Sequence, residues 1–216
     1  MTRLAQLIAR APVATYFGLA LLFTWSLLPF AKSSIPVSFL ALFGPAAAAV
    51  IVAAASGRQE LLALRRRVTD WRIPPRWYLC AVLLPLPISA LRSGIEYALG
   101  ARGPIQLQPI SPLGLVVLVL VAGEEIGWRG FALPHLLRRF GPWSASTIIG
   151  AVWAVWHLPL FYLPGMPQFG GPFPPYVAYT IALSVILTFF AGRTRGSVVI
   201  ATVFHGSAWS TRPPPR

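Results

Sequence analysis

The sequence predicts an all-α, polytopic integral membrane protein: one membrane-embedded domain spanning residues 1–216, a bundle of about seven transmembrane helices. Three observations predict it. Hydrophobic residues make up 56% of the chain and charged residues 11%, with a mean hydropathy of +0.68, which is too little polar surface to clothe a soluble globule of this size. Apolar runs close to the roughly 20 residues that cross a bilayer recur from one end to the other. The basic residues behind the formal charge of +13 collect in alternate loops instead of forming the stripe that would mark a nucleic-acid binder.

The first run, 13–31, follows Arg3 and Arg10 and exceeds the usual 7–15 apolar residues of a signal peptide, so it is read as a retained span. The second, 36–56, contains Pro45, which should bend it. Residues 57–75, GRQELLALRRRVTDWRIPP, form a basic cytoplasmic linker whose pattern suits a short amphipathic helix lying on the interface, with Trp71 and Trp77 as headgroup-level anchors. The third run, 76–99, is bent by Pro85 and Pro87, and Arg92 and Glu96, four residues apart, can neutralise each other there. Runs at 112–133, 144–163 and 174–192 follow, then a shorter last one at 197–210.

Alternating spans put Arg3, Arg10, Arg58, Arg65, Arg66, Arg67, Arg72, Arg76, Arg138, Arg139, Arg193 and Arg195 on one side. Lys32, Arg102 and an uncharged 164–173 loop fall on the other. The positive-inside rule then places the amino terminus in the cytoplasm. Topology and anionic lipid headgroups account for the charge, so membrane lipid is the expected partner and nucleic acid is not. Cys80 is the sole cysteine, which rules out an internal disulfide and a cysteine metal cluster.

Chemistry concentrates in the fourth run. Glu124 and Glu125 are two of only five acids in the chain, and they stand inside LVVLVLVAGEEIGWRGFALPHLL. A charge at mid-bilayer costs about 2.5–3.5 kcal/mol on insertion scales, so an ionisable residue there needs a function or a partner. Glu125 precedes Arg129 by four residues, the favourable order for a helical ion pair. Glu124 lies about 100° further round the helix and should face a different space, where a carboxylate could act as general acid or base. The competing reading is a buried structural cluster in which both acids tie Arg129 to neighbouring helices. Gly123, Gly127 and Gly130 thin the helix surface for close contact or a small cavity. His157 in the fifth run and His205 in the last are also intramembrane, and these groups can escape lipid only by converging inside the bundle. His135, eleven residues beyond Glu124 and about 16 Å along the axis, belongs at the interface instead.

The motifs EEIGWRGFALPHLLRRFG, WAVWHLPLF and VIATVFHGSAW, in that order, resemble the CAAX prenyl protease and bacteriocin-processing family of intramembrane proteases. The likeness covers a catalytic core at about residues 110–210. It implies a glutamate-type endopeptidase in which Glu124 and His157 activate a water against a peptide carbonyl and His205 stabilises the oxyanion. Glu125 and Arg129 would orient the helix. Trp153 stands where the family usually has phenylalanine, and Trp209 where it usually has asparagine. The second change would impair oxyanion assistance, because an indole is larger and has no acceptor. No cofactor is required by the resemblance, although Glu124, His157 and His205 could together supply three zinc ligands.

The expected partner is a peptide or protein substrate delivered in the membrane. One lysine among eighteen basic residues suggests a GC-rich bacterial genome, hence an inner-membrane location and a role in bacteriocin maturation or self-immunity instead of prenyl processing. Two alternatives are a non-catalytic immunity or scaffold protein of the same family and a proton-coupled transporter, the latter disfavoured by the absence of an internal repeat. The short last run, at 1.5 Å per residue, cannot cross a hydrocarbon core of about 30 Å, so a second copy of the chain could supply the closing wall.

Overall fold

The computed structural model describes residues 8, 10–31, 35–98 and 112–210, and among these every regular element is helical. In chain order they are α1 (Pro12–Ala31), α2 (Ile35–Leu42), α3 (Gly44–Ser56), α4 (Arg58–Thr69), α5 (Pro75–Leu83), α6 (Pro85–Ala98) and α7 (Pro112–Glu125). A π-helical segment, Ile126–Ala132, then continues into α8 (Leu133–Leu137). α9 (Pro142–His157) tightens into a 3-10 turn, Leu158–Phe161, and α10 (Phe173–Arg193) and α11 (Val198–Ser210) complete the bundle.

Among the described residues, three helices are long and apolar enough to cross a membrane by length and composition: Pro12–Phe30, Pro142–Phe161 and Phe173–Arg193. The other expected spans are interrupted or short, and proline explains two of the breaks. The 36–56 run parts at Phe43, and Pro45 sits in the first turn of α3, where its missing N–H costs nothing. The 76–99 run parts at Leu84, immediately before Pro85 begins α6. The expected Arg92–Glu96 pair lies outside the described side chains, as do Arg3, Lys32 and Arg102.

The linker contains the expected helix. Gly57, at φ +119°, turns the chain from α3 into α4 through a conformation that other residues rarely adopt. α4 buries Leu64 and keeps Arg65 and Arg66 in the open. Trp71 is 64% exposed, as an interfacial anchor would be. Trp77 differs from expectation: it turns inward against Phe189 and Phe190 of α10, because α5 is drawn into the bundle beside α11.

Large outward-facing residues such as Leu22, Leu91, Val119 and Phe189 coat the helices. Inside, Tyr16, Trp128, Phe131, Trp153, Trp156, Phe190 and Phe204 are all but fully buried. Lipid tails are as apolar as leucine, so such helices associate through close van der Waals fit and buried hydrogen bonds. Both are present. The backbones of α9 and α10 meet at Gly150, where an added Cβ would stand 2.8 Å from Ile181 N and 2.9 Å from Thr180 O. A polar relay joins α1, α2 and α9: Trp156 Nε1 donates to Thr24 Oγ1 at 2.8 Å, and Thr24 Oγ1 donates to Ala41 O at 2.7 Å.

Three basic loops meet on one face. Glu60 accepts from Arg138 Nη2 at 3.0 Å, and Asp70 accepts from Arg195 Nε and Nη2 at 3.1 and 3.0 Å. The linker, the 138–141 loop and the 194–197 turn therefore lie side by side.

Candidate active site

The helix carrying the acid pair changes pitch immediately after it. From Ile126 to Ala132 the backbone is π-helical, and Leu133 N–H closes the segment by donating to Trp128 O, five residues back. Pro134 cannot offer the α-helical N–H that Gly130 O would otherwise receive, and Arg67 Nη1 of α4 donates to that oxygen at 3.0 Å. The glycines let neighbours approach. A Cβ on Gly127 would stand 2.7 Å from both Pro45 Cβ and Pro45 O, and one on Gly130 would stand 2.9 Å from Leu64 Cδ1.

The two carboxylates face different helices. Glu124 Oε2 accepts from Trp153 Nε1 of α9 at 2.6 Å. Glu125, fully buried, uses Oε1 for both Arg129 Nη1 at 3.0 Å and His205 Nδ1 of α11 at 2.9 Å. Arg129 thus has the expected partner, and His205 is joined to Glu125, a link that sequence spacing did not suggest.

Trp153 is the hub of the cluster. Its ring stacks edge-on to His205 with centroids 5.0 Å apart, and Arg129 Cζ lies over it at 4.8 Å. Its carbonyl receives His157 Nδ1 at 3.0 Å. A carbonyl can only accept, so Nδ1 carries a proton, and in the neutral form of the ring Nε2 is the acceptor nitrogen. His157 also abuts the ring of Tyr176 of α10 at 5.4 Å. Its position follows from Pro159, which ends α9: Leu158 N–H donates to Val155 O and the chain tightens.

The acid pair therefore gathers residues of α7, the π segment, α9 and α11, all nine-tenths or more buried. Tyr16 of α1 closes one wall, its ring 5.6 Å from Trp128 and 5.2 Å from Phe131. Among the described residues, Tyr16 Oη, Trp128 Nε1, Glu125 Oε2 and Arg129 Nε and Nη2 are buried with no hydrogen-bond partner in the protein. Nothing in the sequence pointed to Tyr16. Trp153 could have been found by asking which side chain near His157 can donate a proton.

Trp209 is half-buried one turn beyond His205. His135 stands apart from the cluster, its Nδ1 on Phe131 O at 2.8 Å and its Nε2 3.6 Å from Glu60 Oε2 on the basic face. His205 Nδ1 is engaged by Glu125, an arrangement that leaves Nε2 as the nitrogen a metal or substrate would meet. Among the described residues no group of three His, Cys, Asp or Glu side chains could hold a metal ion.

Two comparisons bear on this site. A family model described as Rce1-like, type II CAAX prenyl endopeptidase, matches residues 106–209, which contain the acid pair, Arg129, Trp153 and both clustered histidines. The chain is also similar to CAAX prenyl protease 2 of Methanococcus maripaludis, with 27% identity over 154 residues, 68% of this chain and 55% of that protein. It spans little more than half the length of that relative.

Proposed function

From its similarity to type II CAAX prenyl endopeptidases we propose that the chain is a member of the CAAX prenyl protease and bacteriocin-processing family and an intramembrane endopeptidase of the glutamate type. The observation that carries this reading is the gathering of Glu124, Glu125, Arg129, His157 and His205 around one buried tryptophan. Burying that many ionisable groups in a lipid-embedded bundle is costly and needs a return.

In the proposed reaction a water held by Glu124 and the acceptor Nε2 of His157 attacks the carbonyl carbon of a peptide bond. Glu124 takes the water's proton as the new C–O bond forms and returns it to the amide nitrogen as the C–N bond breaks. An imidazolium at His205, with Glu125 as counter-ion, donates Nε2–H to the tetrahedral oxyanion. Trp153 does no bond chemistry; its N–H holds the Glu124 carboxylate at one oxygen, so it is a positioning residue. The substrate is a membrane-delivered peptide or protein, cut near the basic face, which the positive-inside rule makes cytoplasmic. Support for this depth comes from Glu125 lying five residues, about 8 Å at helical rise, from Gly130, whose carbonyl Arg67 reaches from that face.

The test is cleavage of a peptide library by purified protein in lipid. Wild type should cut a defined subset, and His157→Ala should lose about 10²–10⁴-fold in rate. A chelator should leave the wild-type rate unchanged, since no step runs through a metal. Trp209 favours one second reading, a non-catalytic immunity or scaffold member, because it stands where the family usually carries an amide donor. Absence of any cleavage by folded wild-type protein would select that reading.

A further inference from the structure

Away from the acid pair, the basic face contains an open groove of about 520 Å³ lined by Arg66, Arg67, Arg72, Arg195, Asp70 and Trp71. That volume is in the range of small-ligand sites. We propose that this groove binds the phosphate of an anionic phospholipid headgroup.

The walls are built from three separate stretches of chain and are held by specific bonds. Arg195 has φ +54°, a left-handed conformation uncommon for a residue with a side chain, followed by Gly196 at +76°. This turn directs the Arg195 fork onto both oxygens of Asp70 and onto Arg72 O at 3.0 Å. Ser197 Oγ donates to Asp70 O at 2.7 Å, which fixes the other side of the turn. A solvated run of charges would need none of these bonds.

The charge of the lining is unbalanced. Four guanidinium groups face one carboxylate, and that carboxylate is taken bidentately by Arg195. Glu60, the nearest other acid on this face, is engaged by Arg138 and His135. Arg66 and Arg72 therefore line the groove without an acidic partner among the described residues. Planar guanidinium forks pair with phosphate oxygens in two parallel bonds, geometry an ammonium cannot match. Trp71, 64% exposed at the rim with Arg72 Cζ 5.5 Å from its ring centroid, gives the site its second half. An indole beside arginines suits the boundary where glycerol backbone meets headgroup, which selects a lipid phosphate over a soluble one.

The groove also connects to the elements that carry the acid cluster. Arg67 bonds to Gly130 O in the π segment, and Ser197, held by Asp70, caps α11 at Ile200 N. A headgroup seated here would brace both.

The test is native mass spectrometry of the full chain released from phosphatidylcholine vesicles with or without phosphatidylglycerol. Wild type should retain phosphatidylglycerol in preference to phosphatidylcholine. Arg66→Gln with Arg72→Gln should weaken that retention by at least about tenfold, the effect of losing one charge-assisted hydrogen bond. Arg58→Gln with Arg139→Gln removes the same charge from exposed positions outside the groove and should leave retention unchanged. Equal loss in both double variants would reduce the groove to general surface charge and overturn the proposal. Displacement of the lipid by millimolar inorganic phosphate would overturn it in favour of a soluble anion.

Discussion

At the scale of single residues, the account turns on which atoms hold the two acids. Glu124 is held by an indole N–H at 2.6 Å, a donor that phenylalanine, usual at this position in the family, does not have. A hydrogen bond to a charged group is worth about 1.5–3 kcal/mol, so Trp153→Phe should lower turnover by roughly 10–100-fold. Phenylalanine is smaller and leaves the buried carboxylate without this donor, so the melting temperature should fall as well. Rates and thermal melts on the same preparation decide it, and unaltered turnover would show that the N–H does not position Glu124. The acid pair, Arg129 and both clustered histidines were legible in the sequence because charged groups in an apolar run are conspicuous. Trp153 was not, since a tryptophan among apolar neighbours reads as filler until its N–H is seen to point at a carboxylate. The link between His205 and Glu125 joins residues 80 positions apart, and no local spacing encodes it.

At the scale of elements, proline and glycine made much of the fold readable. The breaks before Pro45 and Pro85 and the amphipathic linker helix followed from backbone chemistry and charge pattern. The π segment did not, because its pitch depends on neighbours: Tyr16 and Pro45 press against Gly127, and Arg67 takes up Gly130 O. π-Helical turns are rare and frequently sit at functional sites. Gly127 is the contact on which this seating depends. Gly127→Ala would push α3 and α1 away from the acid-bearing helix, at a cost of about 1–3 kcal/mol by overpacking. Thermal unfolding in mild detergent should register that loss, and turnover should fall with it because Glu124 and Glu125 lie only three and two residues earlier. An alanine variant as stable and active as wild type would remove the argument for close contact.

At the scale of the whole molecule, composition alone placed the chain in a membrane, and the coating of exposed leucine, valine and phenylalanine agrees with that placement. The charge pattern grouped the linker with the 138–141 and 193–195 regions, and their mutual salt bridges put these loops on one face. The number of full spans was less legible, since length and hydropathy of a run say nothing of where it bends within the bundle. Glu125 ties the π segment to α11, and the proposed reaction assigns the water to its neighbour Glu124. The most direct test compares turnover and melting temperature for Glu124→Gln and Glu125→Gln in the same lipid. Glu124→Gln should lose about 10²–10⁴-fold in rate with its melting temperature nearly intact. Glu125→Gln strips the charge from a buried pair, costing of order 3–5 kcal/mol, and should melt roughly 6–20 °C lower. Full turnover in Glu124→Gln, or an unshifted melt in Glu125→Gln, would contradict the account.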